Sequence, residues 1–207
     1  MQITSIVRIG LVVALTGGSL AMATEQPKHE VLKTYDDFEV RAYAACVVAE
    51  TEVEGEQTEA GSAAFSVLAG YIFGNNGGSK KIAMTAPVTQ AAAGEKIAMT
   101  APVTQTSAGT KRWKVQFMMP SEYRLETLPE PKDARVHLRE VPARRVAAMK
   151  YSGTWSQQNY DEHLAALRAA MKREGLEPAG EPTWARYDPP YKPWFMRKNE
   201  ILIEVSQ

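Results

Sequence analysis

The sequence predicts an α+β domain: two pseudo-symmetric β-α-β-β halves with α-helices packed on a curved antiparallel sheet. Three observations predict it. Strand-like segments, a helix and further strand-like segments follow one another twice along the chain. Each helical stretch carries one apolar stripe, so each covers one side of a sheet. The ten residues KIAMTAPVTQ also occur twice, as Lys81–Gln90 and Lys96–Gln105, with only AAAGE between them. Two copies are too few for a solenoid, which needs about three or more units to bury a continuous core. The repeat therefore reads as two neighbouring antiparallel strands of a larger sheet.

Residues 1–23 are set apart from this domain. Arg8 precedes the apolar run Ile9–Leu15, and Ala21-Met22-Ala23 places small residues at a cleavage position, the form of a secretory signal peptide. An uncleaved membrane anchor is the other reading. Gly10, Gly17, Gly18 and Ser19 leave the run too short and interrupted to span about 30 Å of hydrocarbon. The expected mature chain is residues 24–207, a single domain, exported and periplasmic, with no stable membrane insertion once the signal is removed. No cysteine stands at the cleavage point, which argues against a lipid anchor.

In VLKTYDDFEVRAY the pair Asp36-Asp37 separates two short strands, and ACVVAETEV continues in extended form. EAGSAAFSVLAGYIF is helical: Thr58 is a candidate cap, and Ala64, Leu68, Tyr71 and Ile72 recur on one side. Gly74 with Asn75-Asn76-Gly77-Gly78 ends that helix and opens a loop expected to be flexible. In the first repeat, Ile82, Met84 and Ala86 would then point one way along a strand and Ala83 and Thr85 the other. Pro87 and Pro102 each remove a backbone donor, so both belong at an edge, a bulge or a strand end. KRWKVQFMMP, ARVHLREVP and RRVAAMKYSG follow as strands. A second helix then begins near Ser156 or Asn159, with Tyr160, Leu164, Leu167 and Met171 forming its buried stripe and Gly175 its left-handed cap. PTWARYD and NEILIEV close the chain as strands, joined by PPYKPWFMRK.

Composition narrows the function classes. Lys and Arg total 24, as do Asp and Glu, so the formal charge is +0, and losing Arg8 with the signal makes it −1. Nothing in that balance marks a nucleic-acid binder, which ordinarily presents a basic face. Cys46 is the one cysteine in the chain, so no internal disulfide and no thiolate zinc site can form; within AACVVA it reads as a buried, inert thiol. No His-x-His or His-Glu-x-x-His spacing and no serine nucleophile elbow occurs, so no catalytic residue and no metal site is assigned.

Five segments in order, YDDFEVRAY, KIAMTAPV, FMMPSEY, YSGTWSQQNY and RYDPPYKPWFMRKNEILIEV, carry a resemblance to the SOUL/heme-binding protein family over nearly the whole mature chain. The second KIAMTAPV copy enlarges the central hairpin relative to the shortest members and leaves open which copy fills the usual strand. The resemblance implies a distorted antiparallel β-barrel with two flanking α-helices, and a ligand, heme or another tetrapyrrole, held in an apolar cleft. That cleft is expected between the first helix and the loop joining the last two strands, here Ala64–Phe73 and Tyr187–Arg197.

A porphyrin is a flat apolar plate with carboxylates on one edge, so it calls for aliphatic and aromatic walls with cations nearby. Phe65, Leu68, Ala69 and Ile72 are candidates for one wall. Tyr191, Trp194, Phe195 and Met196 are candidates for the other, with Lys192, Arg197, Lys80 or Lys81 near the carboxylates. The alternative is that Trp194 and Phe195 fold back and plug the barrel end. Heme iron is typically held by His, Met, Cys or Tyr. His29 falls in the polar lead-in, His137 on a strand face shared with Arg135 and Arg139, and His163 beside the second helical stripe. None lies in the cleft segments, so no axial ligand is assigned; Tyr71, Tyr191 and Met196 remain open, as does binding through apolar contact alone. Glu200 and Glu204 flank Leu202 on one strand face, which reads either as solvated surface or as a carboxylate pair for a small-molecule hydrolase or cationic-ligand binder. A monomeric tetrapyrrole-binding protein, not an enzyme, is the expected function.

Overall fold

A computed structural model describes residues 24–92 and 112–206 of the chain. Its nine strands form one antiparallel sheet: β1 (His29–Thr34), β2 (Glu39–Tyr43), β3 (Cys46–Glu54), β4 (Val88–Ala92), β5 (Arg112–Met118), β6 (His137–Val141), β7 (Arg144–Tyr151), β8 (Thr183–Arg186) and β9 (Asn199–Glu204). Helix α1 (Gln57–Ile72) lies between β3 and β4, and α2 (Gln157–Arg173) between β7 and β8. The spatial order is β1-β2-β7-β9-β8-β4-β5-β3-β6.

That order contains the expected twofold. In one half β3, α1, β4 and β5 follow in sequence with β5 between its two partners; in the other β7, α2, β8 and β9 do the same with β9 in the middle. The halves meet where β4 pairs with β8. Each half also lends its leading strand to the other: β2 pairs with β7, and β6 with β3. The result is a curled half-barrel with two helices, with the two halves that the segment order predicts and the α+β distorted barrel that the resemblance implies.

Strand alternation sorts the side chains. On the face under α2, Ala147, Met149, Ile201, Ile203 and Trp184 pack against Tyr160, Leu167, Ala170 and Met171. Leu164 adds to this cluster from the rim of the helical stripe, as its spacing predicts. Under α1, Val115 and Phe117 meet Ala64, Leu68, Tyr71 and Ile72. The opposite, concave face holds Tyr43, Val146, Ala148, Ala185 and Leu202 and keeps a cavity of only about 40 Å³, room for little more than water.

Helix ends follow local chemistry. The Ser156 hydroxyl accepts from the Asn159 amide at 3.3 Å and caps α2, and Gly175 takes the left-handed conformation (φ 67°) just past its end. At α1 the expected cap moves: the helix begins at Gln57 with Glu56 in the cap position, so Thr58 already lies inside the first turn.

Four other expectations change. Lys81–Gln90 is a strand only from Val88 onward. Upstream, the Ile82 amide donates to Ile72 O at 2.8 Å and the Ala86 amide to Glu25 O at 2.9 Å, while the Thr85 hydroxyl donates to Met118 O. Those bonds run to a helix end, the N-terminal lead-in and β5, not along a strand ladder. The loop after α1 is pinned by buried Asn76, whose side chain donates to Tyr71 O (2.8 Å) and Lys80 O (2.7 Å) and accepts from Lys80 N (2.9 Å). His29 opens β1 and is not part of an unstructured lead-in. The Glu200 side of β9 is no solvated surface, because sheet curvature turns it inward and Glu200 is fully buried. The signal-like residues 1–23 and the second repeat, Lys96–Gln105, lie outside the described residues, so the pairing of the two copies does too.

Candidate ligand-binding site

On the helix-bearing side of the sheet, over the β8–β4–β5 junction, lies a cavity of about 610 Å³. That falls within the roughly 300–1,000 Å³ of ordinary small-molecule sites. Gly61, Ser62 and Phe65 of α1 form one side. Tyr187, Asp188, Pro189, Pro190 and Tyr191, at the start of the β8–β9 connection, form the other. Met84, Ala86, Val88 and Val115 line the sheet side, and Trp155 and Arg186 stand toward α2. Phe65 is half-exposed and leans on Phe117, ring centroids 5.3 Å apart.

The early helix and the late loop thus border one space, but only Phe65 and Tyr191 of the ten candidate residues line it. Leu68 and Ile72 are fully buried and Ala69 nearly so; Leu68 and Ile72 pack into the core beneath α1, behind the wall and not on it. Trp194, Phe195 and Met196 form a one-turn helix and are 57, 61 and 58% exposed, so they neither line the cavity nor plug the barrel. Lys192 and Arg197 brace the loop: Lys192 Nζ pairs with Asp188 at 2.7 Å, and Arg197 donates to the carbonyls of Lys192 (2.8 Å) and Pro190 (2.6 Å). Lys80 sits over the Tyr123 ring at 5.0 Å, and neither it nor Lys81 borders the cavity.

Sequence reasoning passed over Arg186. Its guanidinium lies between two indoles, 4.0 Å from the Trp184 ring and 4.9 Å from that of Trp155. Trp155 is fixed in turn by its Nε1 donating to Asn199 Oδ1 at 2.9 Å, and Arg197 stacks on it at 4.4 Å. The faces of Arg186 are therefore occupied. Its edge is not: among the described residues, buried Nε and Nη2 have no hydrogen-bond acceptor, nor do the nearby donors Trp184 Nε1 and Tyr151 Oη. Burial, reinforced by the charge of Arg197, lowers the Arg186 pKa to about 10, though Tyr151 opposes this; the side chain stays charged at neutral pH. Helix α1 approaches closely at Gly61, where a Cβ would stand 3.0 Å from Gln90 Oε1 and 3.2 Å from Arg186 Nη1. The sequence did hold a signal for Arg186: it shares strand parity with Trp184, so a buried tryptophan implied a covered arginine two residues on.

No histidine among the described residues borders this cavity. His29 and His137 are exposed, and His163 stacks on Tyr151 at 4.4 Å with Nδ1 2.7 Å from Asn159 O. Tyr71 spends its hydroxyl on Pro129 O at 2.8 Å in the core, while Tyr191 and Met84 do line the cavity. Burial raises the Cys46 thiol pKa, keeping it protonated. Among the described residues no cluster of three or more His, Cys, Asp or Glu is placed to hold a metal ion. No helix there is long and apolar enough to cross a membrane.

The carboxylate pair separates. Glu200 is fully buried and receives Nη1 and Nη2 of buried Arg41 at 3.1 and 3.2 Å and the Tyr187 hydroxyl at 2.5 Å. Arg41 Nη1 also reaches the Tyr43 hydroxyl at 3.1 Å. Burial alone would lower the Arg41 pKa, but Glu200 outweighs it and holds the cation charged. Glu204 pairs with Arg144 at 3.4 Å near the surface.

The curled antiparallel half-barrel with two helices is an α+β domain that carries a largely apolar cavity over its seam, and the comparisons give it a family. A model of the SOUL heme-binding protein family matches residues 24–204. The chain belongs to that family. Heme-binding protein 1 of Xenopus laevis is 27% identical over 165 residues, covering 79% of this chain and 81% of the relative. The Sus scrofa protein of the same name is 27% identical over 135 residues, covering 64% of this chain and 65% of that one. Two solved structures share the fold at low identity. The EcmrR–DNA complex matches with a TM-score of 0.60 at 9% identity, over 81% of this chain and 56% of that one. A hydrolase from Listeria innocua matches at 0.54 and 12%, over 84 and 94%.

A flat macrocycle with carboxylates suits the donor set present. The walls are aromatic and aliphatic, and a buried guanidinium edge lacks an acceptor.

Proposed function

We propose that this chain binds heme or a related tetrapyrrole in the cavity over the seam, as an exported, monomeric periplasmic protein that stores, carries or scavenges the macrocycle. The observation that carries the reading is the juxtaposition of Phe65 on α1 with the Pro189-Pro190-Tyr191 segment across about 610 Å³ of largely apolar space. A bound plate would rest its faces on Phe65, Tyr191 and the two prolines, with Met84 and Val88 along the sheet side. The prolines and the Arg197 and Asp188 bonds fix the loop in advance, so little ordering entropy opposes binding. With no histidine at this wall, apolar contact is the principal binding term; bound iron, where present, would find Tyr191 and Met84 as its nearest donors of suitable type. Family membership supports the ligand class.

The reading of Glu200 and Glu204 as catalytic or cation-binding groups has less support. Glu200 is already neutralised by Arg41, and the space around the pair on the concave face is small.

Titration of the purified protein with hemin tests the proposal. Saturable Soret growth at one equivalent, lost on filling the cavity by Gly61→Leu, is the expected result. Absence of saturation, or equal binding by the filled variant, overturns it. Sedimentation reports the oligomeric state, and N-terminal sequencing of protein recovered from the periplasm reports cleavage before Thr24.

A further inference from the structure

Among the described residues, buried Arg41 and half-buried Arg186 have opposite surroundings. Arg41 has its counter-charge, a two-pronged bond to Glu200. Arg186 has two indole faces and, at Nε and Nη2, no acceptor among the described residues. A cation edge shut away from water without an acceptor is costly, because the two indole faces offset only part of its desolvation. Such a group persists where its use compensates for that cost. Nε and Nη2 lie on the same edge of a guanidinium and present two parallel N–H bonds, the fork that fits the two oxygens of a carboxylate. Trp184 and Trp155 hold that fork by its faces and so fix its direction without consuming its donors.

We propose that Arg186 is a dedicated carboxylate receptor within this cavity, so that the site selects amphipathic carboxylates and takes them acid end first, their apolar bodies lying against Phe65 and Tyr191. The inference rests on the same cavity as the tetrapyrrole reading and deepens it. Recognition falls on the ligand's acid group rather than on iron, so metal-free porphyrin acids and aliphatic acids belong to the ligand class. The surroundings agree. Trp184 Nε1 and Tyr151 Oη lie beside one another, and among the described residues neither makes a well-formed hydrogen bond. Arg197, stacked beyond Trp155, adds positive potential, and its own N–H groups go to neutral carbonyls. Among the described residues the one carboxylate that lines the cavity, Asp188, is engaged by Lys192 Nζ at 2.7 Å and by the Lys198 amide. A carboxylate fits better than a phosphate, because the lining is largely apolar and would strip water from a doubly charged group without replacing most of it.

The test compares protoporphyrin IX with its dimethyl ester, which keeps the plate and removes both acids. The full chain is used, as wild type, Arg186→Met and Arg186→Lys. Wild type is expected to hold the acid at least about tenfold tighter than the ester, as a charge-assisted pair implies. Arg186→Met should bind both alike, with the ester as tight as in wild type, and Arg186→Lys should keep part of the preference. The methionine variant should melt no lower than wild type, since it removes an unpaired buried charge. Laurate, a carboxylate with no macrocycle, should raise the melting temperature of wild type and not of Arg186→Met. If laurate stabilises but neither porphyrin binds, the tetrapyrrole reading falls and the Arg186 assignment stands. Equal wild-type affinity for acid and ester, or a preference that survives in Arg186→Met, overturns the assignment.

Discussion

Replacing Glu200 by alanine strands a charge in the interior. Glu200 is 0% and Arg41 1% exposed, and their two bonds of 3.1 and 3.2 Å link β9 to β2 across the intervening β7. Alanine removes both, together with the Tyr187 bond, and leaves the Arg41 guanidinium with Glu39 at 2.7 Å and the Tyr43 hydroxyl. Breaking a buried pair from one side costs about 3–5 kcal/mol. Glu39 stays behind as a partial counter-charge, so the lower end applies. For a chain of this size each kcal/mol shifts the melting temperature by about 2–4 °C, which puts the expected loss near 6–12 °C. Thermal unfolding followed by circular dichroism reads it. The double variant Arg41→Met/Glu200→Leu should recover most of the loss, because removing both partners abolishes the stranded charge. Hemin affinity should stay within about threefold, since neither residue lines the cavity. A Glu200→Ala protein melting within 2 °C of wild type would refute the reasoning (roughly the shift of a surface substitution).

Gly61→Leu places a side chain where even a Cβ meets Gln90 and Arg186, so hemin affinity should fall by about tenfold or more while leucine's better helix propensity, about 1 kcal/mol over glycine, limits the loss of stability; a hemin titration and a melt separate the two effects. Stability should fall in acid. Burial pushes the carboxyls of Glu39, Glu50 and Asp188 upward, but Arg41 and Lys150, Gln116 and Arg139, and Lys192 with the Lys198 amide outweigh it and hold all three below their ordinary values. The unfolded chain then takes up protons first, so this stabilisation is complete above the ordinary carboxylate range near 4.5 and is lost as pH drops through the lowered values; urea midpoints between pH 7 and pH 3 measure it. Deleting Ala91–Gln105 yields the same chain as deleting Lys81–Glu95 and leaves one KIAMTAPVTQ ahead of β5. Shortening the connection should leave stability unchanged or raise it by about 1 kcal/mol, as loop closure predicts, and hemin binding should persist.

What was legible in the sequence is what periodicity encodes. Tyr160, Leu167 and Met171 are buried as their spacing requires, and Gly175 takes the cap conformation its position implies. The twofold topology was legible because strand, helix and strand segments recur in order. Side-chain direction at the site was less so. Phe65 and Leu68 are three residues apart on one helix, yet one borders the cavity and the other is core, a distinction set by how far α1 stands from the sheet. Glu200 looked solvated because acidic residues on alternating strand positions ordinarily are; Arg41 and sheet curvature, both non-local, bring it inside. Trp194 and Phe195 looked like wall because they are aromatic. Their place was decided by backbone carbonyls held by Arg197, bonds that leave no pattern in the residue string.

The cavity itself follows from a break in the internal symmetry. Counted from their first residues, Gln57 and Gln157, the two helices carry different side chains at matching positions of the first two turns: Ala60 and Ala64 in α1 against Tyr160 and Leu164 in α2. In the second half those larger groups fill the space above the sheet, with Tyr160 5.2 Å from the Trp184 ring. In the first half the alanines let the helix settle without filling the volume beside Gly61, and the space remains over β4 and β5. Trp184 and Arg186 share one face of the strand that borders both regions, the first sealed under α2 and the second lining the cavity. A duplicated architecture thus packs one half as core and leaves the other as a container. Arg186 lies at their boundary, lining the cavity while its Nε–Nη2 edge is shut off from bulk water without an acceptor among the described residues.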